Sequence, residues 1–260
     1  MSHNKKGKPK IGFFVTCIVD AMRPNIGFAS IKVLKQAGCD IEVPRAQTCC
    51  GQPAFNSGDD DSTRAIAKQV IAAFEKYDYV VVPSGSCASM IRCHYDELFE
   101  GDSEWKLRQQ AVSDKTWELL SFLTDIMDYR PKGIFYNGMA TYHDSCSGLR
   151  DLDVYNQPRA LLGEVEGLSL TALQGNDECC GFGGTFCVKY PDVSGAIVSD
   201  KVEKIEATGA DTLLGGDMGC LMNMAGKLSR EGSDVKAYHT IEVLAGMAEG
   251  PAICKSENRK

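Results

Sequence analysis

The chain reads as an α/β protein of two pseudo-repeated βαβ lobes, each with a parallel sheet and with cysteine sites at the carboxyl ends of its strands. Three observations predict this. Short strand-like runs alternate with amphipathic helical patterns, the signature of parallel βαβ units. Two cysteine pairs, Cys49-Cys50-Gly51 and Cys179-Cys180-Gly181, are each flanked by a lone cysteine on either side at nearly matching distances. Each of these cysteines follows a strand-like run, on the edge where open α/β sheets form their ligand crevices.

The spacing makes the repeat explicit. Cys17 lies 32 positions before Cys49, and Cys146 lies 33 before Cys179. Cys87 follows Cys50 by 37 positions, and Cys220 follows Cys180 by 40. What is repeated is therefore a set of four thiols.

In chain order, residues 10–16 are strand-like and lead into Cys17. Residues 25–37 are amphipathic and stop at Gly38, a residue type suited to a helix end. Residues 40–43 form a second strand-like run before Cys49. A helix over 62–77 is expected to start at Ser62 as its cap and to place Ile66, Val70, Ala73 and Phe74 on one face. Residues 78–83 precede Cys87. Residues 99–127 read as a helical insertion, with Trp105, Leu107, Trp117, Leu119, Leu120 and Phe122 available for packing and both tryptophans assigned to the core. A polar break with Pro131 and Gly133 divides a first repeat, 10–130, from a second, 131–250. There the runs 140–143, 168–171 and 212–214 precede Cys146, Cys179 and Cys220. A helix over 192–207 spaces Val193, Ile197, Val202 and Ile205 for burial. The ends, 1–9 and 251–260, read as flexible solvated tails.

Composition bounds the function. With 260 residues, 43% hydrophobic and 24% charged, two lobes with modest cores are expected. A net charge of −7 argues against nucleic acid as a partner, since phosphate contacts need a basic face. No run approaches the ~20 apolar residues of a membrane helix, so no transmembrane segment is expected. The apolar run 11–19 imitates a signal peptide, but Asp20 and Arg23-Pro24 cut it short and no small-residue cleavage site follows. A cytoplasmic, reducing location is expected, where the twelve cysteines serve as ligands or redox groups.

Four converging thiolates suit an iron–sulfur cluster or zinc. The candidate ligands are Cys17, Cys49, Cys50 and Cys87 in one repeat, and Cys146, Cys179, Cys180 and Cys220 in the other. His143, three before Cys146, is a candidate ligand, a neighbour to one, or a structural histidine. Cys39 reads as packing and Cys254 as free in the tail; Cys93 and Cys187 read as buried sooner than as ligands. The glycines of residues 181–184 let backbone approach a cluster or a phosphate closely. No dinucleotide fingerprint, P-loop or Ser-His-Asp constellation is visible, and no dedicated motif for a hydride acceptor. On its own the chain reads as an electron-transfer or cluster-bearing subunit.

Residues 14–20, 47–53, 143–146 and 179–186 carry a resemblance over about residues 10 to 248. The chain resembles the cysteine-rich CCG-domain family, which includes the B subunit of heterodisulfide reductase and glycolate oxidase iron–sulfur subunits. In particular it is similar to the lactate utilisation protein A type, a two-repeat protein of about this length. The resemblance implies one or two [4Fe–4S] clusters, with zinc possible in one repeat. It implies oxidation of L-lactate to pyruvate together with partner subunits, among them a ferredoxin-like iron–sulfur protein, and inactivity in isolation. The alternatives are a thiol–disulfide reductase component and a zinc-binding, non-catalytic assembly subunit. The family pattern ends in C-x-x-C, and here Ser84 and Asp217 stand where its first cysteine would be. Four thiols per repeat do not match the five that hold the relatives' non-cubane cluster, yet they suffice for a [4Fe–4S] centre. Ser84 and Asp217 are either oxygen neighbours of the metal sites or helix caps.

Overall fold

The computed structural model describes residues 7–255; the outermost parts of both expected tails, 1–6 and 256–260, lie outside the described residues. Two four-stranded sheets form two lobes. The first holds β1 (Lys10–Phe13), β2 (Asp40–Glu42), β3 (Tyr79–Val82) and β4 (Thr116–Glu118), in the order β2-β1-β3-β4. The second holds β5 (Phe135–His143), β6 (Glu166–Thr171), β7 (Thr212–Gly215) and β8 (Lys236–His239), in the matching order β6-β5-β7-β8. Neighbouring strands are parallel throughout, with Ile11 opposite both Ile41 and Tyr79, and Ala140 opposite both Leu170 and Thr212.

This order fixes where a ligand can sit. Crossovers leave in opposite directions from the central pair, β1 and β3 in one sheet and β5 and β7 in the other. A crevice therefore opens at the carboxyl ends of each pair. Cys17 and Cys87 follow one pair; Cys146 and Cys220 follow the other.

Apolar residues on both faces of the central strands seat the helices. One core runs through both lobes and joins Phe13, Leu120, Tyr142 and Leu214; a second, on the other face of the first sheet, joins Phe14, Val70, Phe74 and Tyr95. The lobes are also fastened by polar groups. Arg23 donates to both oxygens of the buried Glu242 at 3.0 Å, and Asn25 donates to the same carboxylate at 2.8 Å. The helix Gly85–Ser89 packs on Cys146–Leu152 so closely that a Cβ on Gly85 would stand 2.9 Å from the Cα of Gly148. Only glycine allows that approach.

Several expectations are corrected. The helix expected from Ser62 runs from Asp60 to Phe74 and is capped by Asp59, which accepts from the Ser62 amide. The insertion 99–127 is not wholly helical: after the helix Ser103–Ser113 it contributes β4. Three residues, Thr-Trp-Glu, carry no strand periodicity, and their role is set by pairing with β3. Leu107 is exposed, and both tryptophans are half-buried, with Arg108 over Trp105 and Arg92 over Trp117. On the helix Pro191–Ala207 the buried stripe is Ser194, Val198, Lys201, Val202 and Ile205, while Val193 faces solvent. The tail expected from residue 251 is corrected at its start, because Ala252 and Ile253 are buried and the Ile253 amide donates to the Ala237 carbonyl at 2.9 Å.

Candidate metal centres

Each quartet assembles by the same local steps. The strand preceding the first cysteine ends in a turn whose next residues start a helix, Cys17–Met22 or Cys146–Leu152. The cysteine pair lies in the loop after the edge strand, and its glycine turns left-handed, with φ of 89° at Gly51 and 81° at Gly181. This turn aims the glycine amide back at the first sulfur of the pair, 3.4 Å to Cys49 Sγ and 3.3 Å to Cys179 Sγ. The carbonyl of the second cysteine is also held in both repeats: Tyr95 Oη donates to Cys50 and Asn223 Nδ2 donates to Cys180, each at 2.8 Å.

The thiols of each quartet form a chain in the same order. Cys17 Sγ lies 3.8 Å from Cys49 Sγ, and Cys50 Sγ lies 3.2 Å from Cys87 Sγ. In the second repeat Cys146 interacts with Cys179, and Cys180 with both Cys179 and Cys220. The protons are unevenly held. Donation from Cys17 and Cys50, with the Gly51 amide, holds Cys49 well below the usual thiol range. Cys17 and Cys146, the donors to the next sulfur, are pushed well up by that bond and by burial. Among the described residues no cysteine is in a disulfide. Contiguous thiols with amide donors aimed at sulfur are what a thiolate-bound metal or iron–sulfur cluster requires, so the residues present fit such a group.

Ser84 and Asp217 occupy equivalent positions in the two repeats, and they meet. Each caps the helix that carries the last cysteine of its quartet: Ser84 Oγ accepts from the Cys87 amide, and Asp217 Oδ1 accepts from the amides of Gly219 and Cys220. Ser84 Oγ then donates to Asp217 Oδ2 at 2.8 Å, and Ser86 donates to the same oxygen through its amide and its hydroxyl. Both residues also line a cavity of about 280 Å³ over the first quartet, with Cys17, Cys49, Cys50 and Cys87 on one side and Phe182, Val188 and Met218 on the other.

His143 ends β5 and is 1% exposed. Neither of its ring nitrogens has a hydrogen-bond partner among the described residues. It stands with Cys180 and Cys220, their ligand atoms all within 4.8 Å of one another. Burial, with the nearby charge of Lys201, pushes it down to about 3, so the ring is neutral.

The other cysteines lie outside the quartets. Cys39 is buried as packing, Cys187 is half-buried against the Gly184 carbonyl, and Cys254 is exposed. Cys93, expected to be buried, is exposed. The sequence reading missed Lys201, which is buried and donates to the carbonyls of Gly175, Asn176 and Glu178, bracing the loop that leads into Cys179. Its signal was present: a lysine in the apolar stripe of a helix. It also missed Asp144, held by both terminal nitrogens of Arg159 at 2.8 and 2.7 Å and by Asn176 at 2.6 Å.

The model of the cysteine-rich domain family named CCG matches residues 11–92 and 140–225, once per lobe. Lactate utilization protein A of Macrococcus caseolyticus (strain JCSC5402) is 46% identical over 240 residues, covering 92% of this chain and 98% of that protein. The chain belongs to the CCG-domain family, among the lactate utilization A proteins. The family member of the same name from Geobacillus sp. (strain WCH70) is also 46% identical, over 90% of this chain and 98% of its own. The two family matches cover all eight quartet positions, four in each lobe. Among solved structures, an aspartate racemase homologue from Pyrococcus horikoshii OT3 aligns over 91% of this chain and 96% of its own, at 10% identity and a TM-score of 0.32. Neither fold nor activity follows from a likeness at that level.

Proposed function

We propose that this chain is the iron–sulfur electron-transfer subunit of a multi-subunit system that oxidises L-lactate to pyruvate. The observation that carries the reading is the pair of contiguous thiol chains, built alike at the crevice of each sheet, in a member of the lactate utilization A proteins. Cys17, Cys49, Cys50 and Cys87 would hold one [4Fe–4S] cluster, and Cys146, Cys179, Cys180 and Cys220 another. Such a cluster, when bound, supplies one-electron carriage. The chain's own residues aim amides at the sulfurs, fix the pairs in their loops and join the two sites across the lobes. Lactate oxidation also needs a hydride acceptor, which places that step on a partner subunit, with a ferredoxin-like iron–sulfur protein as a further member. Among the described residues no helix is long and apolar enough to cross a membrane, which fits a cytoplasmic subunit.

A second reading draws on the cavity over the first quartet. A small disulfide could reach the four thiols there, as a thiol–disulfide reductase component would need. Anaerobic purification with iron, acid-labile sulfide and zinc analysis, followed by lactate oxidation assays with and without partner subunits, separates the readings. Iron and sulfide are expected, with a broad band near ~400 nm that bleaches on reduction and turnover only in the complex. A colourless chain with stoichiometric zinc would overturn the electron-transfer reading. Reduction of small disulfides by the iron-loaded chain alone would favour the second.

A further inference from the structure

We propose that the imidazole of His143 is a direct ligand of the metal centre in the second repeat, so that the two repeats hold chemically different centres. This rests on the reading that the second quartet binds a metal centre. Three observations converge on it. His143 is buried, and neither ring nitrogen is bonded among the described residues. A buried polar group left unpaired is destabilising, and nearly all such groups in folded proteins find a partner. The ring also lies within 4.8 Å of two buried thiols, Cys180 and Cys220, which are themselves candidate ligands. No other group of three or more such side chains converges this way among the described residues.

The first repeat supplies the third observation. Phe14 stands three residues before Cys17, as His143 stands three before Cys146. Phe14 is fully buried and packs on Phe74, ring centres 5.4 Å apart. The same place in the repeat thus carries a hydrocarbon in one lobe and an unpaired nitrogen base in the other. A histidine needed only to fill that space would not need two nitrogens stripped of water. Imidazole is a good donor to both iron and zinc. Replacing a thiolate by a neutral imidazole removes one negative charge from the ligand set, which raises a cluster's reduction potential. Five donors exceed the four that a cubane cluster takes, so His143 replaces one of the four thiols assigned to the second cluster above, and that thiol stays uncommitted.

The test uses the full chain with Cys49→Ser and Cys50→Ser, which leaves only the second centre, labelled with ¹⁵N-histidine and loaded anaerobically with iron and sulfide. Pulsed electron paramagnetic resonance of the reduced centre should show a strong ¹⁵N coupling, lost in His143→Gln. His143→Cys should keep the iron and lower the midpoint potential; a merely structural histidine would leave the potential where it was. Iron retained with no ¹⁵N coupling overturns the ligand. No metal at all in this background overturns the reading of the second quartet as a metal site, and the ligand with it. Zinc in place of iron, with a nitrogen scatterer at about 2.0–2.1 Å in its X-ray absorption spectrum, would keep the ligand and overturn only the cluster. The labelled chain with His143 intact carries the test even if a substitution impairs folding.

Discussion

The two thiol sites share a backbone and differ in what surrounds it. Around Cys17, Cys49, Cys50 and Cys87, a cavity of about 280 Å³ lies open, walled by Phe182 and Val188 from the other lobe. Around Cys146, Cys179, Cys180 and Cys220, a buried histidine takes the place that Phe14 holds in the first repeat. One local plan has therefore produced a site beside an open cavity and a site beside a buried, unpaired imidazole. The lesson is that the repeat fixes how thiols converge, while the opposite lobe and a single residue before the first cysteine set what surrounds each site.

The largest effect should come from removing one site at a time. Exchanging Cys49 and Cys50 for serine should take away about half the iron and leave the spectrum of the second centre; exchanging Cys179 and Cys180 should do the reverse. Loss of both centres in either variant would break the comparison, because the sites would then depend on each other.

The joint between the sites is next. Asp217 accepts from Ser84 Oγ, the amide and hydroxyl of Ser86, and the amides of Gly219 and Cys220. Asp217→Ala strands these donors and should cost roughly 3 kcal/mol, while Ser84→Ala should cost only about 1 kcal/mol. Equal losses in denaturant melts would show that the carboxylate is not the centre of the joint.

The two left-handed glycines should also respond unequally. A Cβ on Gly51 would meet nothing nearer than Ile66 Cγ2 at 3.5 Å, whereas one on Gly181 would stand 2.8 Å from the Ser194 carbonyl oxygen. Gly51→Ala should cost about 1–2 kcal/mol from the backbone alone, and Gly181→Ala measurably more. A larger loss at Gly51 in thermal melts would contradict the packing around the second pair.

The smallest effect is a pH dependence at the ends of β4 and β8. Glu118 and His239 cap the helical turns that follow these strands, one an acid and the other a base, both buried. Burial lifts Glu118 to about 7 and pushes His239 down. A carboxyl raised on folding contributes stability fully present below its unfolded value near 4.5, and lost as pH rises through about 7. Glu118→Gln should flatten this dependence. A depressed histidine acts in the opposite sense: its folded state resists protonation, so stability falls as pH drops below the unfolded value near 6.5. A Glu118→Gln variant that still loses stability between pH 5 and 7.5, to the same extent as the parent, would remove Glu118 from the account.

Much of this was legible in the chain. Strand and helix alternate on a local scale, so parallel βαβ lobes followed from periodicity, and the thiol quartets followed from spacing, because each cysteine is placed by the strand just before it. The fourth strand of each sheet was not legible. Thr116–Glu118 and Lys236–His239 are too short to show alternation, and only their neighbours β3 and β7 make them strands. Tertiary structure alone decided three features of the sites. Ser84 and Asp217, 133 residues apart, meet only because segments of the two lobes come together. The cavity over the first quartet exists only because the loop bearing Phe182 crosses from the second lobe. The isolation of His143 is likewise invisible in sequence, since a hydrogen-bond partner's absence depends on everything packed around the ring. Covalent order sets which groups converge from one strand edge; the approach of distant segments sets what each convergent group touches.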